Sequence, residues 1–115
     1  MLEKPLVWLG SSLEDVRDFP ESARRAAGYQ LGRVQQDLML TDWKPLLSVG
    51  AGVYEIRVRT ELQHRILYIA KYEEAVYVLH AFEKRTRQTP QRDLDLARTR
   101  LADVLRWRTR KQDTP

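Results

Sequence analysis

The chain has 115 residues, enough for one hydrophobic core and too few for two, so a single domain over residues 1–115 is expected. With no cysteine and two histidines, disulfides, thiol nucleophiles and a structural zinc site drop out, and neither a metal nor a cofactor is expected. The net charge of +4 is unevenly spread: residues 1–50 carry 6 basic and 7 acidic side chains, residues 51–115 carry 14 and 9. No apolar run approaches the ~20 residues of a membrane span. The start, MLEKPLVWLG, lacks the features of a signal peptide, so a cytoplasmic protein without membrane association is expected.

Pro5 to Leu9 is a short apolar run stopped by Gly10 and reads as a first strand, with proline suited to its beginning. Ser12 and Asp15 fit a Ser-x-x-acid cap, and Leu13, Val16 and Phe19 then recur at spacing three, one stripe of a short helix. Pro20 ends it. Glu21 to Asp37 predicts a second helix with Ala23, Ala26 or Ala27, Leu31 and Val34 inward. The small residues Ala26, Ala27 and Gly28 suggest close packing there. Leu38 to Val49, with Pro45 inside it, is too apolar for a free linker and reads as a loop folded onto the core. Trp43 and Lys44 could alternatively form a groove wall.

From Tyr54 to Arg59 the chain alternates: Tyr54, Ile56 and Val58 one way, Glu55, Arg57 and Arg59 the other, the pattern of a half-buried strand. Thr60 to Gln63 is a polar connection, His64 to Ala70 the next strand, and Ala75 to Phe82 a third. The third is nearly all apolar, as expected of a strand central in a sheet or covered on both faces. A basic loop, Lys84-Arg85-Thr86-Arg87, follows. Gln91 to Arg108 is the clearest helix, with Leu94, Ala97, Leu101, Val104 and Leu105 on one side, and Lys111 to Pro115 reads as a frayed tail. The predicted class is therefore α+β: a small twisted antiparallel sheet carrying an N-terminal strand, a helical hairpin packed on it and a C-terminal helix.

Arg57, Arg59 and Arg65 project from the first two of these strands, and Arg57 and Arg65 can approach each other if the register pairs them, which is unfavourable unless an anion lies between them. Ion pairs with Glu55, Glu61 and Glu83 would neutralise them equally well. Tyr54, Tyr68 and Tyr77 read as core or core-edge aromatics. His80 reads as a satisfied core histidine, and His64, beside its turn, as an exposed one.

The order GVYEIRVR … HRILYIAKYEEAVYVLHAFEKRTRQTP … LARTRL resembles the toxins of bacterial type II toxin–antitoxin pairs, specifically the phage-derived, HigB-like branch of the RelE/ParE superfamily. The resemblance covers nearly the whole chain and is strongest from Tyr54 to Pro90. It implies a RelE-like fold and a ribosome-dependent mRNA endonuclease that inhibits translation, in which the 2′-hydroxyl attacks the adjacent phosphate. It also implies partners: the ribosome and mRNA, and a cognate antitoxin, often of helix-turn-helix type. A ParE-like inhibitor of DNA gyrase and a non-catalytic RNA-binding or regulatory relative are the alternatives.

Carried over by position, Arg57 falls on a basic strand position of the family. Arg65 falls on the arginine of an R-x-L/V-Y pattern, and Lys84 and Arg85 on the basic pair after the last strand. These four, with His80 for proton transfer because its ordinary pKa is near neutrality, form the expected catalytic set. Arg59, Arg87 and Arg92 are expected to hold the RNA backbone. Glu55 stands where some relatives have a basic residue, and Thr89-Pro90-Gln91-Arg92 lacks a tyrosine that some members carry. The general acid and base are therefore open, Glu55 being a further candidate base.

Overall fold

The computed structural model describes residues 3–38, 40 and 42–113. In chain order the elements are β1 (Leu6–Trp8), α1 (Ser12–Arg17), α2 (Glu21–Gln35), β2 (Trp43–Pro45), β3 (Val53–Arg59), β4 (Gln63–Ile69), β5 (Val76–Glu83) and α3 (Gln91–Asp113). The strands form one five-stranded sheet ordered β1-β5-β4-β3-β2. β1 runs parallel to β5 and every other neighbouring pair is antiparallel. The α+β class read from the sequence is the one observed.

Helices cover both faces. Val16, Phe19, Ala23, Ala27 and Leu31 from α1, α2 and the turn between them pack on Ile56, Val58, Ile66, Val76 and Val78. On the other face Ala97, Leu101 and Val104 of α3 pack on Val53, Leu67, Ile69, Tyr77 and Leu79. β5 lies between β1 and β4 and contributes to both clusters, which is why its sequence loses polar alternation. An irregularity breaks its pairing with β4: Tyr68 faces Val78 while Leu67 faces His80. The extra residue on β5 is a bulge, and it aims Leu79 and His80 both toward α3.

Several local expectations are corrected. Trp43–Pro45, read as a loop, is an edge strand paired with Tyr54–Ile56; a three-residue strand containing proline gives no periodic signal. Residues 39 and 41 of that connection lie outside the described residues. Ser12 does not cap α1: its hydroxyl donates to Val78 O at 3.2 Å and ties the helix to β5. α3 runs on to Asp113 rather than fraying at Lys111, and residues 114–115 lie outside the described range. Arg108 explains part of that length, since it holds Glu74 through two hydrogen bonds of 2.7 and 3.2 Å. The Arg108 bond is the main reason the Glu74 carboxyl is held at about 2, so the contact contributes stability above its ordinary value of 4.5 and loses it as the pH falls toward 2.

Gly28 and Gly32 are not sites of close packing, because a Cβ added to either meets nothing within 4 Å. Alanine at each position lowers the backbone entropy lost on folding without a clash. Gly28→Ala and Gly32→Ala are expected to stabilise the protein by up to ~1 kcal/mol each. Thermal or urea unfolding of the single and double variants checks this, and destabilisation by either would refute the open environment.

Candidate nucleic-acid interface

The sheet is not covered to its end on the α3 side. α3 packs over β5 and the near part of β4; of the outward residues around the β3–β4 hairpin, Arg59 and Gln63 are exposed and Arg57 is half-buried, while Glu55 and Arg65 are buried. Strand alternation puts Glu55, Arg57 and Arg59 of β3 and Gln63 and Arg65 of β4 on that one surface. Register then decides which of them meet. Arg57 stands directly opposite Arg65, Arg59 opposite Gln63, and Lys44 of β2 opposite Glu55. Lys84 joins from the end of β5, where its backbone N–H donates to Gln63 O at 2.8 Å. The surface therefore gathers Lys44, Arg57, Arg59, Arg65 and Lys84 around one buried carboxylate.

That carboxylate is Glu55, whose side chain is 1 % exposed. Its Oε1 lies 2.8 Å from Arg65 Nε and its Oε2 lies 3.5 Å from Lys44 Nζ. The Arg65 contact is an ion pair by distance but not an aligned hydrogen bond, and Glu55 Oε2 and Arg65 Nε both lack hydrogen-bond partners. The Arg65 terminal nitrogens are fixed by His64 O at 3.1 Å and Gln63 Oε1 at 3.0 Å. Burial lowers the Arg65 pKa, opposed by Glu55 and reinforced by the positive charges of Arg57 and Arg59. Arg57 Nε is likewise buried without a hydrogen-bond partner; its Nη1 is 3.7 Å from Asp42 Oδ1. Arg59 takes the closer place on that carboxylate, Nε to Oδ2 at 2.6 Å.

The Lys84 pKa is displaced downward, first by burial and then by the positive charge of Arg65. A lysine so placed exchanges its proton more readily at neutral pH than a free one. Asp42 was not singled out in the sequence, and Lys44 only as an alternative groove wall; the pairing of β2 with β3 brings both here. Among the described residues, neither Glu61 nor Glu83 forms an ion pair with these arginines. Glu83 instead pairs with Arg85, and Arg85, Arg87 and Arg92 are exposed on the loop and at the start of α3.

His80 stands apart from the arginine pair. Its Nε2 lies 2.6 Å from Asp93 Oδ1, and its Nδ1 faces Arg100 Nη1 at 3.1 Å. Arg100 can only donate, so Nδ1 accepts and the Nε2–H donates to Asp93: a neutral ring with both nitrogens engaged. Arg100 reaches this position because Gly10 has φ +54° and no Cβ, an atom that would fall 2.5 Å from Arg100 Nε. Phe82 links the two regions. Its ring stacks on His80 at 5.3 Å, and the residue is the cross-strand neighbour of Arg65.

His64 corrects an expectation. It is buried at 1 % exposure beneath Phe19, ring centroids 4.2 Å apart, because β4 directs it toward α1 and α2. Burial lowers its pKa from 6.5, with Glu83 opposing and Arg65 assisting. The unfolded chain therefore binds a proton more readily than the native one, and stability is expected to fall as the pH drops below about 6.5. Unfolding midpoints between pH 5 and 8 for the native chain and His64→Leu should differ in slope; identical slopes would count against a buried neutral ring.

The phage-derived protein Gp49-like family model matches residues 14–102, from within α1 through the first half of α3 and across every residue of the cationic surface. The chain belongs to that family. No curated protein matches the chain. Membership in this Gp49-like family is consistent with a toxin of a toxin–antitoxin pair. Among the described residues of the Gp49-like chain no helix is long and apolar enough to cross a membrane, and no group of three His, Asp or Glu side chains could hold a metal ion.

Proposed function

We propose that the protein is a toxin of a type II toxin–antitoxin pair that cleaves mRNA on the ribosome. The observation that carries this reading is the pairing of Arg57 with Arg65 in register, Arg57 partly exposed with a buried Nε that has no hydrogen-bond partner, Arg65 buried against Glu55, and Lys84 beside them. Two guanidinium groups held together by the strands repel, and a bridging phosphate relieves that repulsion. In cleavage the RNA 2′-oxygen attacks the adjacent phosphorus, the bond from phosphorus to the 5′-oxygen breaks, and a 2′,3′-cyclic phosphate results. Arg57 and Arg65 stabilise the charge that develops on the phosphate oxygens. Lys84 donates a proton to the departing 5′-oxygen, while the 2′-hydroxyl proton passes to water.

Glu55 is better suited to position than to act as base. At 1 % exposure it lies beneath Arg65 and Lys44 and cannot reach a substrate hydroxyl without displacing them. His80, engaged at both nitrogens, holds α3 to β5 rather than exchanging protons. Phe82 adjoins Arg65 and offers a ring edge to a base. The proposed partners are the ribosome with its mRNA and a cognate antitoxin, the latter resting on the family reading alone.

The same engagement of His80 favours a second reading, a ParE-like gyrase inhibitor that needs no proton transfer. Primer extension on a translated mRNA in a reconstituted system distinguishes them. Cuts at in-frame codons that require both ribosomes and this protein are expected. Intact message, together with inhibited supercoiling in a gyrase assay, would replace the endonuclease with the second reading. Lys84→Ala is expected to slow cleavage by about 10²–10⁴-fold, the range of a lost general acid, and full activity in that variant would remove its assigned role.

A further inference from the structure

At the sheet edge opposite β2, the second half of α3 and β1 enclose an apolar groove. Val7, Leu9, Tyr77, Val104 and Trp107 line a cavity of about 420 Å³. A second cavity, of about 430 Å³, shares Val7, Tyr77 and Trp107 and adds Pro5 and Lys111. Trp107 is 45 % exposed and Val7 39 % exposed, although Tyr77 between them in the lining is buried. The Trp107 ring is nevertheless held: it meets the Tyr77 ring edge-on at 6.4 Å, and Lys111 Nζ lies 4.8 Å from its centroid. A large aromatic surface fixed in place beside an exposed strand valine is a cost in water that an apolar guest removes.

The strand beside this groove is an open edge. β1 pairs with β5 in parallel, with Val76 N–H donating to Pro5 O and Leu9 N–H to Val78 O, each at 2.9 Å. The backbone groups of Pro5, Val7 and Leu9 therefore face β5, and those of Leu6 and Trp8 face away from it. Among the described residues no strand takes them up, and β5 is the one element packed along β1. Leu6 and Trp8 are half-buried and Val7 is exposed, so solvent reaches this edge. The side chains of Pro5, Val7 and Leu9 lie on the α3 side, in the groove itself. A strand added to β1 would set its residue opposite Val7 against Trp107.

Charge selects the occupant. Both carboxylates in the lining already have an arginine, Asp103 pairing with Arg106 and Glu74 with Arg108. Lys111 has no ion pair among the described residues. Residues 101–111 as a whole carry four basic side chains and one acidic. Two copies meeting through this edge would bring those charges together, which disfavours a self-complementary contact. We infer that the groove and the β1 edge dock an extended, acidic segment of a different protein, added antiparallel to β1. A large apolar side chain stands opposite Val7, and a carboxylate two residues later, opposite Pro5, meets Lys111. This inference does not depend on RNA cleavage.

An NMR titration of the full chain with the capped hexapeptide Ser-Thr-Phe-Thr-Glu-Ser tests it. Saturable shifts are expected at the Leu6 and Trp8 amides and the Trp107 indole N–H, with both amides gaining protection from exchange. Affinity should fall by about tenfold with serine in place of phenylalanine, and by as much with an N-methyl group on either threonine, the residues that face Leu6 and Trp8. Lysine in place of glutamate should weaken binding by about threefold. Trp107→Ala in the chain should remove the preference for phenylalanine over serine. No shifts at these positions, or equal binding of the serine or N-methyl peptides, would overturn the site. Equal or tighter binding of the lysine peptide would overturn the acidic partner. A concentration-dependent dimer of the chain alone, dissociated by Trp107→Ala, would replace that partner with a second copy.

Discussion

Arg65→Ala is expected to lose both stability and cleavage, the former by about 3–5 kcal/mol, because it strands a carboxylate in the interior. Glu55 would keep only Lys44, 3.5 Å away and half in solvent, as counter-ion. Against the ~5–15 kcal/mol that holds a typical domain together, this is a large fraction. The same accounting predicts recovery. Glu55→Leu with Arg65→Met replaces both charges by apolar side chains of similar size and should regain most of the lost stability, since a buried ion pair contributes little over a well-packed apolar one. Cleavage should stay absent in the double variant. Urea midpoints and the primer-extension assay separate the outcomes. A loss below about 1 kcal/mol in Arg65→Ala would mean the pair is effectively solvated, and cleavage by the double variant would remove the arginine from the reaction.

Arg57→Ala should do the reverse, abolishing function while sparing the fold. The Arg57 side chain is 26 % exposed, and the Asp42 carboxylate it approaches keeps Arg59 at 2.6 Å, so no charge is left alone. Cleavage is expected to fall by about 10²–10³-fold, the effect of removing one donor to a transition-state oxygen. RNA binding should weaken, and its salt dependence should become shallower by about 0.7, one phosphate contact on a single strand. Arg59→Ala, whose guanidinium is tied to Asp42, should change cleavage far less. Equal losses in both variants would indicate diffuse attraction rather than a phosphate held at Arg57 and Arg65.

The sequence was most informative where side-chain periodicity and burial agree. Tyr54, Ile56 and Val58 alternate with Glu55, Arg57 and Arg59, and the structure divides them between the two faces as the alternation requires. The apolar run of β5 announced a strand covered on both sides, and β5 sits inside the sheet with a core cluster against each face. The approach of Arg57 to Arg65 was legible as well, since a short connection between alternating strands leaves few registers. Trp43–Pro45 was not, because a short edge strand has neither period nor composition to mark it.

Chain order and composition by themselves determined an α+β domain, a cationic sheet surface and the strands that carry it. They do so because side-chain alternation and helical spacing are local properties of the backbone. Tertiary structure alone decided which charges are neutralised and which remain available. Lys44 and Asp42 reach β3 only through a non-periodic edge pairing, and Glu55 becomes a buried counter-ion only once β2 and β4 flank it. His64 is buried by helices distant in sequence, and one extra residue in β5 turns His80 to Asp93 and Arg100. Each of these depends on the position of a group relative to distant chain, where burial and neighbouring charge set its energy, and no local pattern encodes that.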